Sequence, residues 1–154
     1  MIDSMGSEEI YFTSSRFQIE EGEEEDTNPG RYGKQLGIWL CECLKSRGYP
    51  EAEVFPEDWG WCVMCNSKPF MLWIGCGSML SDEVMKSTSS NPPSIEKIVW
   101  TAFPRTEIPF YDFRALVLKL IGKIQMEPAR QKLLDDLWEI LSAASDIHFV
   151  DRPV

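Results

Sequence analysis

The chain has 154 residues, 44 % of them hydrophobic with six Trp and eight Phe, which suits one apolar core in a single domain spanning residues 1–154. A formal net charge of −10 argues against direct contact with nucleic-acid backbones or anionic membranes and for a basic partner. No stretch reaches the ~18 apolar residues of a membrane helix and no secretory pattern precedes the first strand. The odd number of cysteines, five, fits reduced thiols, so a cytoplasmic protein is expected.

The charge is uneven. Met1 to Asp26 holds nine acids (Asp3, Glu8, Glu9, Glu20, Glu21, Glu23, Glu24, Glu25, Asp26) against Arg16 alone, a net −8, leaving −2 for the rest. Ile10 to Ile19 has strand composition around a Ser-Ser break. Residues 20–27 are so acidic that a solvated, mobile loop is expected. Asn28 then serves as an N-cap with Pro29 at the first helical position, and Tyr32, Leu36, Trp39, Leu40, Cys43 and Leu44 recur at helical spacing. Arg47-Gly48 ends that helix of residues 29–47 with a basic last turn and a glycine stop.

Trp59–Asn66 and Phe70–Cys76 read as a hairpin about Ser67-Lys68, with Cys65 opposite Phe70, Val63 opposite Leu72 and Trp61 opposite Ile74. Both faces are apolar, so each must be covered or offered to a partner. Residues 87–94, containing Asn91-Pro92-Pro93, form a polar, mobile connection. Ile95–Phe103 is a further strand that Pro104 ends. Asp112 caps a helix with Phe113, Leu116, Val117, Leu120, Ile121 and Ile124 on one side, and Pro128 opens a last helix bearing Leu133, Leu134, Leu137, Trp138 and Leu141. Strands and helices in separate runs predict an α+β fold, an antiparallel or mixed sheet of about four or five strands covered by three main helices.

The candidate chemistry is sparse. Cys41-Glu-Cys43 and Cys62-Val-Met-Cys65 have zinc-like spacing, but on a helix and mid-strand those thiols diverge, so buried structural thiols and no metal are expected. Gly75-Cys76-Gly77 could present a nucleophile, for which His148, the only histidine, would be the base. Asp135-Asp136 reads as a solvated pair on a helix, and the basic cluster Lys119 to Lys132 as an ordinary solvated face. Glu57-Asp58, held between Pro56 and Trp59, fits a turn or a partner contact. No nucleotide or phosphate fingerprint is present, and no cofactor is expected.

Asn28-Pro-Gly-Arg-Tyr-Gly33, Gly48-Tyr49, Pro56-Glu-Asp-Trp-Gly-Trp61 and Leu72-Trp-Ile-Gly-Cys-Gly77 together resemble a family of small acidic bacterial proteins. Its members are similar to immunity proteins encoded beside polymorphic or contact-dependent growth-inhibition toxins. The resemblance spans Asn28 to Gly77, implies a shared fold and a toxin partner, and carries over no catalytic residue. Physical reasoning points the same way. Nuclease toxins present basic clefts that an acidic protein can block with carboxylates in place of phosphates, and tight interfaces set aromatic anchors inside a charged rim. The residues expected to contact such a partner are Glu57, Asp58, Trp59 and Trp61, with Glu23, Glu24, Glu25 and Asp26. The alternatives are a small enzyme using Cys76 with His148, and an adaptor whose hairpin face docks a partner.

Overall fold

Alternating side chains along four adjacent strands put one apolar set on one side of a sheet, and this side builds the core. The computed structural model describes residues 9–154; Asp3 and Glu8 of the acidic N-terminal run lie outside them. A six-stranded antiparallel sheet is formed by β1 (Ile10–Ser14), β2 (Glu53–Glu57), β3 (Gly60–Asn66), β4 (Met71–Ser78), β5 (Trp100–Glu107) and β6 (Ile147–Phe149). Their spatial order is β2-β3-β4-β5-β1-β6, so the first strand inserts between β5 and the C-terminal strand. The sheet has one strand more than the upper end of the expected four or five, because Glu53–Glu57 also pairs.

The central hairpin is present, with its register displaced. Val63 lies opposite Ile74, not Leu72, and Trp61 opposite Cys76, not Ile74. The connection is longer than Ser67-Lys68, and a bulge interrupts the ladder between Met64 and Asn66. A displacement of two residues leaves every side chain on its predicted face, since the strand repeat is two. Trp61, Val63, Cys65, Leu72, Ile74 and Cys76 are accordingly all in the core. The next strand begins later than expected: Ile95–Lys97 is a 3-10 turn, and β5 runs on through Pro104. Pro104 lies beyond Ala102–Ile10, the outermost described pair with β1, so its missing N–H leaves that ladder intact.

Two helices cover the core side. Helix α2 (Lys34–Lys45) buries Leu36, Leu40 and Leu44 over β2, β3 and β4, and α5 (Met126–Ala143) buries Leu133, Leu137 and Leu141 against β5. Trp100, Phe12, Phe17 and Ile74 fill the space beneath them and are at most 1 % exposed. On α5, Asp136 is not the solvated carboxylate expected, because its Oδ2 accepts from the Tyr49 hydroxyl at 2.8 Å and from Lys132 at 2.8 Å. The single turn α3 (Asp82–Lys86) is capped by Ser81 and plugs the core edge with Val84. Helix α4 (Phe113–Leu120) is capped by Asp112 as expected, with Oδ1 accepting from Ala115 N at 3.0 Å. Contrary to expectation, its apolar stripe does not cover the sheet: Phe113, Val117 and Leu120 are 54–85 % exposed.

The acidic segment also departs from its expected behaviour. Glu23–Asp26 forms a helical turn, α1, and Glu23 is only 2 % exposed. Its carboxylate accepts from three backbone N–H groups: Glu20 at 2.6 Å, Gly33 at 2.9 Å and Lys34 at 3.2 Å. The last two are the N-cap and first residue of α2, which starts at Lys34 rather than at Pro29. Glu23 thus satisfies the orphan donors and positive end of a helix ten residues away in sequence. Glu24 is equally occupied, accepting from Ser89 N at 3.0 Å and Ser89 Oγ at 2.9 Å, while Gly22 N donates to Ser89 Oγ at 2.7 Å. The two polar loops, residues 20–27 and 87–94, therefore tie one another down.

Candidate binding face

Three of the four sequence motifs converge at one end of the sheet. In Asn28–Gly33, the Asn28 amide donates to Asp58 O at 2.9 Å, Tyr32 O accepts from Ser78 N at 2.9 Å, and Ser78 Oγ bridges Tyr32 N and Gly30 O. Gly33 lies so close to β4 that a Cβ there would stand 2.8 Å from Gly77 Cα, and its φ of +142° also favours glycine. Much of the 28–33, 56–61 and 72–77 pattern is thus the lock that joins α2 to the sheet.

This lock orients the two tryptophans of Pro56–Trp61 oppositely. Trp61 lies in β3 and enters the core, 4 % exposed. Trp59, with Asp58, forms the tight turn between Glu57 and Gly60 and folds over the sheet's other face, 38 % exposed. The helices that pack on the sheet, α2 and α5, both do so on the core side. By strand alternation the other face carries Phe55, Cys62, Met64, Met71, Trp73 and Phe103. Trp59, Trp73 and Phe103 form an aromatic cluster with ring centroids 5.6–6.4 Å apart. Gly75 makes room for it, since a Cβ there would come within 2.4 Å of the Phe103 ring.

Charges surround this cluster. Glu53, Glu57 and Glu107 share its face, and the Glu57 and Glu107 carboxylates help burial raise the Cys62 thiol to about 12. Asp58 projects from the turn. Arg105 lies over Phe103 at 4.4 Å and pairs with Glu9 at 3.8 Å. A groove of about 330 Å³ beside the cluster is lined by Glu9, Arg31, Trp59, Gly77, Thr101 and Phe103. Of the acids and aromatics expected at an interface, Glu57, Asp58 and Trp59 are thus together at the surface, and Glu25 and Asp26 are exposed on α1. Glu23 and Trp61 lie inside the fold and Glu24 is held by Ser89, so these three are structural here. Trp73 and Phe103 complete this cluster and were not among the expected residues; the apolar second face of the hairpin was the signal for Trp73, and Phe103 on β5 had none.

The residues of the thiol alternative are not brought together. Cys76 is on the core side, 1 % exposed, and burial pushes its thiol well above the usual range. His148 is on β6, three strands away and on the opposite face, which at sheet spacing is roughly 14 Å. All five cysteines are unpaired, and burial raises the four buried thiols and half-buried Cys43 alike. Among the described residues no cluster of three His, Cys, Asp or Glu could hold a metal ion, and no helix is long and apolar enough to cross a membrane.

Fold and site define an α+β protein with one helix-covered sheet face and one aromatic, acid-rimmed face. No known protein family, curated protein or solved structure matches the chain.

Proposed function

We propose that the chain is a non-enzymatic binding protein of the cytoplasm, an immunity protein that neutralises a basic, nuclease-like toxin domain by covering its surface. One observation carries this reading: the sheet face opposite the helices bears Trp59, Trp73 and Phe103 in contact, with Glu53, Glu57, Asp58 and Glu107 around them. Aromatic anchors inside a charged rim are the arrangement that gives tight, selective protein contacts. Carboxylates at that rim would meet the cations with which a nuclease cleft holds phosphates. Glu21, Glu25 and Asp26, exposed near α1, would steer the encounter.

The test is co-expression with a toxin domain encoded beside the gene, with binding kinetics at several salt concentrations. Glu57→Lys/Asp58→Lys should slow association and remove protection, and Trp59→Ala should mainly speed dissociation. A doubly reversed protein that stays folded and still protects fully would refute this surface.

A further inference from the structure

Helix α4 presents a second surface, independent of the aromatic face. Phe110, Tyr111, Phe113, Val117, Leu120 and Ile121 are 54–85 % exposed. Six large exposed apolar side chains on one eight-residue helix and its two ends differ from the scattered single ones that are normal on a monomer. At 100° per residue, Phe113, Val117, Leu120 and Ile121 form one stripe, nearly opposite Ala115, which is 4 % exposed and faces the protein. The helix is therefore apolar on both sides, with its larger side chains on the outer one. A helix of that kind is stable when both sides meet an apolar medium.

The charges beside the stripe indicate the medium. Arg114, Lys119 and Lys123 are exposed, and none has an ion-pair partner among the described residues. From Ile108 to Gln125 these three cations face one acid, Asp112, a net +2 in a chain of −10. The main acidity lies before residue 27, and at physiological ionic strength charges more than ~8 Å apart are largely screened. Protruding aromatic and aliphatic side chains flanked by Arg114 and Lys123 match the interfacial zone of a bilayer, where rings sit at headgroup level and cations meet lipid phosphates. The small, buried Ala115 side also lets the helix lie flat with its larger residues outward.

From this we infer that residues 110–123 form a peripheral membrane contact, in which α4 lies in the plane of an anionic lipid surface with Phe113, Val117, Leu120 and Ile121 inserted and Arg114 and Lys123 on the headgroups. This site departs from the composition-based expectation against anionic membranes.

The test is co-sedimentation of the full chain with phosphatidylcholine vesicles, with and without phosphatidylglycerol. Binding should require phosphatidylglycerol and weaken as salt rises. Arg114→Glu/Lys123→Glu should lower the partition coefficient roughly 25-fold or more, at about fivefold per cation. Leu120→Asp should abolish binding, with the melting temperature unchanged because both sites are exposed. If Leu120→Asp fails to fold, the charge variant carries the test alone. The inference is overturned by absence of binding to anionic vesicles, by binding that neither variant weakens, or by a vesicle-independent dimer in sedimentation velocity that Leu120→Asp dissociates. The last outcome would assign the stripe to a second copy of the chain.

Discussion

Replacing Glu23 tests the most specific structural claim about the acidic segment. Its carboxylate accepts from three backbone N–H groups at 2.6–3.2 Å and is 2 % exposed. Glu23→Ala leaves those donors without partners, at about 1–3 kcal/mol for each that stays dry. Loss of a helix cap alone costs about 0.5–2 kcal/mol. Removal of a buried charge offsets part of this, so a net destabilisation of about 2–4 kcal/mol is expected by urea denaturation at pH 7. Desolvation outweighs the N–H donors and raises the folded carboxyl above its ordinary 4.5, so the folded state takes up a proton before the unfolded chain does. The stability this contributes is present in full below about 4.5 and is lost as pH rises through the folded value. Wild type should therefore gain on Glu23→Gln as pH is lowered from 7 towards 4.5. If Glu23→Ala lies within ~0.5 kcal/mol of wild type, the segment is the solvated loop its composition suggests and the capping argument fails.

Gly33→Ala should destabilise by about 2 kcal/mol or more in the same assay, because its φ is +142° and its Cβ would meet Gly77 backbone at 2.8 Å. Gly48→Ala, at φ +104° with nothing within 4 Å, should cost only about 1 kcal/mol, and equal costs would refute the close approach. Trp100→Ala and Leu137→Ala, both at 0 % exposure, should each lose about 2–5 kcal/mol, and losses below ~1 kcal/mol would place them outside the core. A thiol reagent at pH 8 should label Cys43 first and the other four only on unfolding; fast labelling of Cys76 would contradict its burial.

What the sequence conveyed well was periodicity. From Trp61 to Cys76 the face of each paired hairpin residue was legible although its register was not, because a slip of two residues preserves parity and a slip of one would have reversed it. The α2 stripe was legible for the same reason, whereas its start was not. Asn28-Pro29 carries every local sign of a helix beginning, yet the chain turns there through Gly30 and Gly33, and the cap comes from Glu23. A run of carboxylates appears solvated by composition; that one member caps a helix and another binds Ser89 depends on contacts 10 and 65 residues away in sequence.

The same reasoning explains Trp59 and α4. Two tryptophans two apart in a strand share a face, but Asp58-Trp59 is a turn, so Trp59 crosses to the face that Trp61 leaves. No propensity separates these outcomes, because the turn exists only once Glu53–Glu57 has paired with β3. In α4, spacing revealed an apolar stripe and could not say what medium it meets, since core, partner and bilayer all select the same period. The side Ala115 occupies decides it: with the small residue inward, the large ones face away from this protein's own core. Both candidate surfaces therefore arise where apolar patterning exceeds what the fold itself can bury.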